Sequence, residues 1–141
     1  MSRQTIERLR EAADEAFGDT PVLFAYVFGS VARGNATATS DVDVAVYLDP
    51  AASADPLNLS LELARRLAPA ARPHNVEVVV LNDTPLPLTG RAVKERTVIY
   101  SRDEPSRVAF ESLTVREFLD FEIHARPLDE RFLRDIATGR R

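Results

Sequence analysis

The sequence predicts an α/β (α+β) fold with one central sheet flanked by helices. Three observations carry that expectation. Helical and strand periodicities alternate along the chain. Residues 22–28, Val-Leu-Phe-Ala-Tyr-Val-Phe, are an unbroken apolar run of strand length. Residues 41–48 place Val42, Val44, Val46 and Leu48 on one face and Asp41, Asp43, Ala45 and Tyr47 on the other.

The elements follow in order. Ile6, Leu9, Ala13, Ala16 and Phe17 recur at helical spacing over 3–17, with Gly18 and Pro21 as stop signals. The buried strand 22–28 ends at Gly29, and a short helix is expected after it. A polar stretch, 34–40, leads to the strand 41–48, and Pro50 to Pro56 is a turn-rich connection. Residues 57–68 read as a helix with two apolar stripes, Leu57-Leu61-Ala64-Ala68 and Leu59-Leu63-Leu67, ended by Pro69 and Pro73. Residues 76–81 are β-branched and strand-like. A short helix over 88–95, a strand over 97–101 and helices over 105–123 and 128–137, separated by Pro127, complete the chain.

At 141 residues the chain has the length of one domain, 1–141, with 105–141 as a helical C-terminal segment. A chain this long buries roughly 68–70% of the surface its unfolded form exposes, enough for a core without staples. The absence of cysteine excludes a disulfide scaffold, a thiolate metal site and a cysteine nucleophile, and the two histidines, His74 and His124, are isolated. No apolar run approaches the ~20 residues that span a bilayer, and the charged start of the chain lacks a signal-peptide core, so a cytoplasmic protein is expected. A net charge of −4 argues against a non-specific nucleic-acid binder.

The chemistry is concentrated between Gly29 and Asp43. Asp41 and Asp43 stand at i and i+2 on one strand, so both carboxylates share a face with Cβ atoms roughly 7 Å apart. Carboxylates beside apolar strands are costly unless their charge is compensated. Two of them can bridge Mg²⁺, which takes hard oxygen ligands and commonly shares them with substrate phosphates. Gly29 lets the backbone approach a ligand closely. Ser30 supplies a hydroxyl, and the amides opening the following helix can receive phosphate oxygens. Arg33, four residues beyond Gly29, can neutralise a triphosphate or a leaving pyrophosphate. Together these read as a nucleotide–metal site.

Gly29-Ser30, ten residues, then Asp41-x-Asp43 resembles the signature of the polymerase-β-type nucleotidyltransferase superfamily. The local text, Gly-Ser-Val-Ala-Arg-Gly followed by Ser40-Asp41-Val42-Asp43-Val44-Ala45-Val46, is similar to its minimal branch, the MNT-domain antitoxins paired with HEPN-domain toxins. The resemblance extends through Val76–Asp83, Pro85–Leu88 and Val98–Tyr100. It implies a palm-like mixed sheet and makes Glu77 the third acidic residue, at a position where the family usually carries Asp. It further implies a two-metal mechanism in which Mg²⁺ held by Asp41, Asp43 and Glu77 assists transfer of AMP from ATP. The implied acceptor is a tyrosine hydroxyl of the HEPN toxin, in a hetero-oligomer. Two alternatives stay open: an antitoxin that only binds, with a vestigial site, and an antibiotic-type small-molecule nucleotidyltransferase. Four of the seven phenylalanines, Phe110, Phe118, Phe121 and Phe132, fall in the C-terminal segment. With Arg126, Arg131 and Arg134 they make it either core or a partner-docking surface.

Overall fold

The computed structural model describes residues 2–29, 32, 34 and 41–137, with side chains described for all of these except 2 and 125–137. The element order is α1 (Ser2–Phe17), β1 (Val22–Phe28), β2 (Val42–Leu48), α2 (Pro56–Ala71), β3 (Val76–Val80), a 3-10 turn (Leu81–Asp83), α3 (Leu86–Lys94), β4 (Thr97–Ser101) and α4 (Glu104–Ala137). The four strands form one mixed sheet in the order β3-β2-β1-β4. β1 is antiparallel to β2 and to β4, whereas β2 and β3 run parallel. The α/β reading of the sequence is therefore met.

Two apolar layers sandwich the sheet. On one face Val42, Val44, Val46 and Leu48 pack with Leu9, Ala13 and Phe17 of α1 and Leu63, Leu67 and Ala71 of α2. On the other, Phe24, Tyr26, Phe28 and Ala45 pack with Leu81 and with Ala92 and Val93 of α3. Each fully buried Val or Leu contributes on the order of 1.5–3 kcal/mol relative to exposure. β1 has core on both sides, which is why its sequence is a continuous apolar run rather than an alternation. Phe110 of α4 belongs to the second layer, where its ring lies 4.8 Å from that of Tyr47 and 5.6 Å from that of Phe24.

A buried polar network fastens α4 to the sheet. The Tyr26 hydroxyl donates to Glu111 Oε2 at 2.6 Å. Arg107 Nη1 donates to both Glu111 oxygens, at 3.0 and 2.8 Å, and Arg96 Nε stands 3.1 Å from Oε2. Burial, and then the Glu111 carboxylate, push the Tyr26 phenol far above its usual range, so it stays a hydrogen-bond donor. Among the described residues no buried side-chain polar atom lacks a partner.

Two local expectations, both at prolines, are corrected. Pro69 lies inside α2, which continues to Ala71. The buried stripe Leu63-Leu67-Ala71 carries the helix past the one amide bond that Pro69 removes. The helix stops where Pro73 forces Arg72 into an extended conformation, ψ 141°. Of the two leucine stripes, the one containing Leu57 and Leu61 is exposed, at 68% and 63%. Pro127 does not separate two helices, because α4 runs unbroken from Glu104 to Ala137. A proline removes one bond and crowds the preceding turn, a loss of ~3 kcal/mol that the many other bonds of a long helix can absorb. Among the described residues no helix is long and apolar enough to cross a membrane.

Candidate active site

The site lies on the α3–α4 face of the sheet, at the end where β1 finishes and β2 and β3 begin. Asp43 is the second residue of β2. It lies across from Phe28 of β1 and Glu77 of β3. The parallel register puts Asp43 and Glu77 side by side on the same face. Asp41 immediately precedes the strand, whose first amide, Val42 N–H, donates to the Asn75 carbonyl at 2.7 Å. Asp41 and Glu77 are exposed, whereas Asp43 is half-buried.

Asp43 is the electrostatic centre of the group. Burial raises its carboxyl pKa above the usual carboxylate value, and Glu77 raises it further. Arg91 opposes that shift, while Asp41 and Glu95 add to it. Three other carboxylates thus act on Asp43, opposed among the described residues by the Arg91 guanidinium. The excess negative charge on hard oxygen atoms is the donor chemistry that Mg²⁺ requires. Among the described residues, no three acidic or imidazole side chains are already gathered into a metal cage.

Gly29 makes this arrangement possible. Its φ is +80°, in the left-handed region, and a Cβ there would stand 2.5 Å from Asp43 Oδ2. The missing side chain therefore gives room to the neighbouring carboxylate. The Gly29 N–H donates to Glu95 Oε1 at 3.0 Å. Glu95 follows the last turn of α3, and its Oε1 also lies 3.5 Å from Arg91 Nε.

The family model for the polymerase beta nucleotidyltransferases matches residues 11–105, from within α1 to the start of α4. The chain belongs to the polymerase beta nucleotidyltransferase family. No curated protein matches it. Solved structures that share its fold include a toxin–antitoxin crystal structure with AMP-PNP, at TM-score 0.70 and 21% identity over 88% of this chain and 98% of that one. Another holds a tri-AMPylated Shewanella oneidensis HEPN toxin in complex with an MNT antitoxin, at TM-score 0.65 and 18% identity over 94% and 99%. A third, the toxin–antitoxin MntA–HepT, has TM-score 0.67 and 19% identity over 90% and 98%. At these identities the likeness is one of fold.

Of the residues expected from sequence, this nucleotidyltransferase brings together Gly29, Asp41, Asp43 and Glu77. Ser30 and Arg33 lie outside the described residues. Arg91 and Glu95 were not legible as site residues, because they reach it through the packing of α3 on the sheet. One local signal could have marked Glu95 as unusual, though not as part of the site: a carboxylate at a helix C-terminus opposes the helix dipole, which favours cations there. Such a placement calls for a compensating partner, here the Gly29 amide.

Proposed function

We propose that this nucleotidyltransferase is an antitoxin that transfers AMP from ATP to a HEPN ribonuclease toxin and so neutralises it. The observation that carries this reading is the placement of Asp43 beside Glu77 and against Gly29, with Asp41 acting on it electrostatically, in a chain of this family. The fold it shares with toxin–antitoxin complexes and the AMPylated toxin in one of them support the choice of acceptor, and the AMP-PNP in another supports the choice of donor.

Asp41, Asp43 and Glu77 would hold Mg²⁺, which when bound supplies charge neutralisation for the triphosphate and the developing alkoxide. The chain itself contributes position. The β2–β3 register keeps Asp43 and Glu77 adjacent, and Gly29 lets Asp43 sit against the end of β1. Arg91 provides a fixed positive charge beside them. Ser30 and Arg33 are assigned to the phosphates of the bound nucleotide. The acceptor is a tyrosine hydroxyl presented by the toxin. Catalysis of this kind rests on orientation and electrostatics rather than on a covalent intermediate with the protein.

The test is incubation of the full chain with labelled ATP, MgCl₂ and the co-encoded HEPN protein, followed by mass spectrometry of that partner. The expected result is adenylyl groups on partner tyrosine, abolished by EDTA. A partner that binds but stays unlabelled would leave an antitoxin acting by occlusion alone. Failure to bind together with transfer to a small-molecule hydroxyl would replace the reading with an antibiotic-type enzyme.

A further inference from the structure

A concavity adjoins the carboxylates beside Gly29. It is a groove of about 500 Å³ between α3 and α4, walled by Arg91, Lys94, Glu95, Phe118, Phe121 and Glu122. This is within the size range of small-ligand sites. Arg91 and Glu95 belong to both places: Arg91 acts electrostatically on Asp43, and Glu95 holds the Gly29 amide. Whatever fills the groove is therefore next to Gly29 and Asp43.

The lining is specific in character. Phe118 and Phe121 lie nearly parallel, with ring centroids 6.4 Å apart and planes at 20°. Phe118 is fixed from behind, since a Cβ on Gly90 would fall 2.1 Å from its Cδ1. The ring occupies space that only a glycine leaves. Opposite signs of charge border these rings, Arg91 and Lys94 against Glu95 and Glu122. A triphosphate calls for cations alone. An aromatic heterocycle that carries both ring-nitrogen acceptors and an exocyclic amine calls for a flat apolar wall with donors and acceptors at its edge.

We propose that the groove between α3 and α4 seats the nucleobase of the donor nucleotide, with Phe118 and Phe121 as its apolar wall and Lys94 and Glu122 at its polar edge. This rests on the reading of the chain as a nucleoside-triphosphate-dependent transferase and adds to it where the base lies. Phe121 and Glu122 are then affinity residues for the nucleoside and have no part in holding the triphosphate.

Calorimetric titration of the full chain with Mg-ATP and with Mg-tripolyphosphate tests this. Phe121→Ala should weaken ATP binding by about tenfold, the scale of one lost base–aromatic contact, and leave tripolyphosphate binding unchanged. Equal weakening of both ligands, or of neither, overturns the proposal. Photolabelling of the unaltered protein with 8-azido-ATP gives an independent reading. Label is expected in the tryptic peptide of residues 117–131, since the Arg126–Pro127 bond resists trypsin, and label confined to other peptides also overturns the proposal. If the unaltered protein binds tripolyphosphate and ATP alike, the groove does not hold the base while the transferase reading stands. If it binds neither, the transferase reading itself fails, and this inference with it.

Discussion

Asp43 shows how a single side chain can be placed against its own preference. Its carboxyl is half-buried, faces Glu77 across the strand pair and holds its proton more tightly than in the unfolded chain. A group whose native pKa is raised favours the native state below its unfolded value, and that gain is lost as pH rises through the native pKa. At neutral pH the ionised Asp43 therefore works against the metal-free fold. Asp43→Asn is expected to raise Tm at pH 7 in metal-free buffer, with the gain disappearing as pH falls below about 3.8, the unfolded value. The same variant should lose transfer by at least ~100-fold, the scale seen when one electrostatic group aimed at a reacting centre is removed. Scanning calorimetry with a labelled-ATP assay reads both. Lower stability with activity retained would remove Asp43 from the site.

Gly29 is bound to Asp43 by sterics. Its φ of +80° costs a residue with a Cβ about 1–2 kcal/mol, and the Cβ would press on the Asp43 carboxylate as well. Gly29→Ala should lower the free energy of unfolding by at least that amount, read as a lower urea midpoint at unchanged slope, and lower transfer by displacing Asp43. The Gly29, Asp41 and Asp43 triplet was legible because strand periodicity fixes which side chains share a face. Glu95 and Arg91 were not, because nothing local brings residues 91–95 to residue 29. That meeting depends on how α3 packs over the sheet.

Between elements, the attachment of α4 to the sheet rests on a buried carboxylate. Glu111, 8% exposed, is shared by Tyr26 of β1, Arg96 before β4 and Arg107 one turn earlier on α4. Tyr26→Phe removes one hydrogen bond to a charged acceptor and leaves both arginines in place. The expected loss is about 1.5–3 kcal/mol, measured by chemical denaturation, with nucleotide binding intact. A neutral outcome would mean that the arginines alone hold the carboxylate. The strands were readable from the sequence by their apolar spacing, whereas α2 and α3 begin slightly earlier than that spacing indicated, at Pro56 and Leu86. The helices at Pro69 and Pro127 were misjudged for one physical reason. A proline's penalty is local, whereas the choice between helix and break is made by everything else the helix contributes.

Across the whole molecule, the sheet separates two environments. α1 and α2 close one face with apolar packing, while α3 and α4 cover the other, where the carboxylates and the groove lie. Among the described residues, Phe110, Glu111, Thr114 and Phe118 anchor α4, and all precede residue 126. Deleting 126–141 should therefore keep a cooperative unfolding transition and ATP binding, and weaken association with the HEPN partner. Size-exclusion chromatography and calorimetry of the truncated chain measure these effects. Undiminished partner binding would place the docking surface elsewhere, for example on the exposed Val108, Val115 and Leu119.

β3 is an outer strand of the sheet, bonded only to β2 among the described strands, and its sequence is Val-Glu-Val-Val-Val. An open edge made of five consecutive valines would be a template for another chain to add itself. Glu77 interrupts that run with a charge. The same carboxylate assigned to metal chemistry thus also guards the molecule against self-association, so loss of Glu77 to an apolar residue would expose a sticky edge as well as an incomplete site.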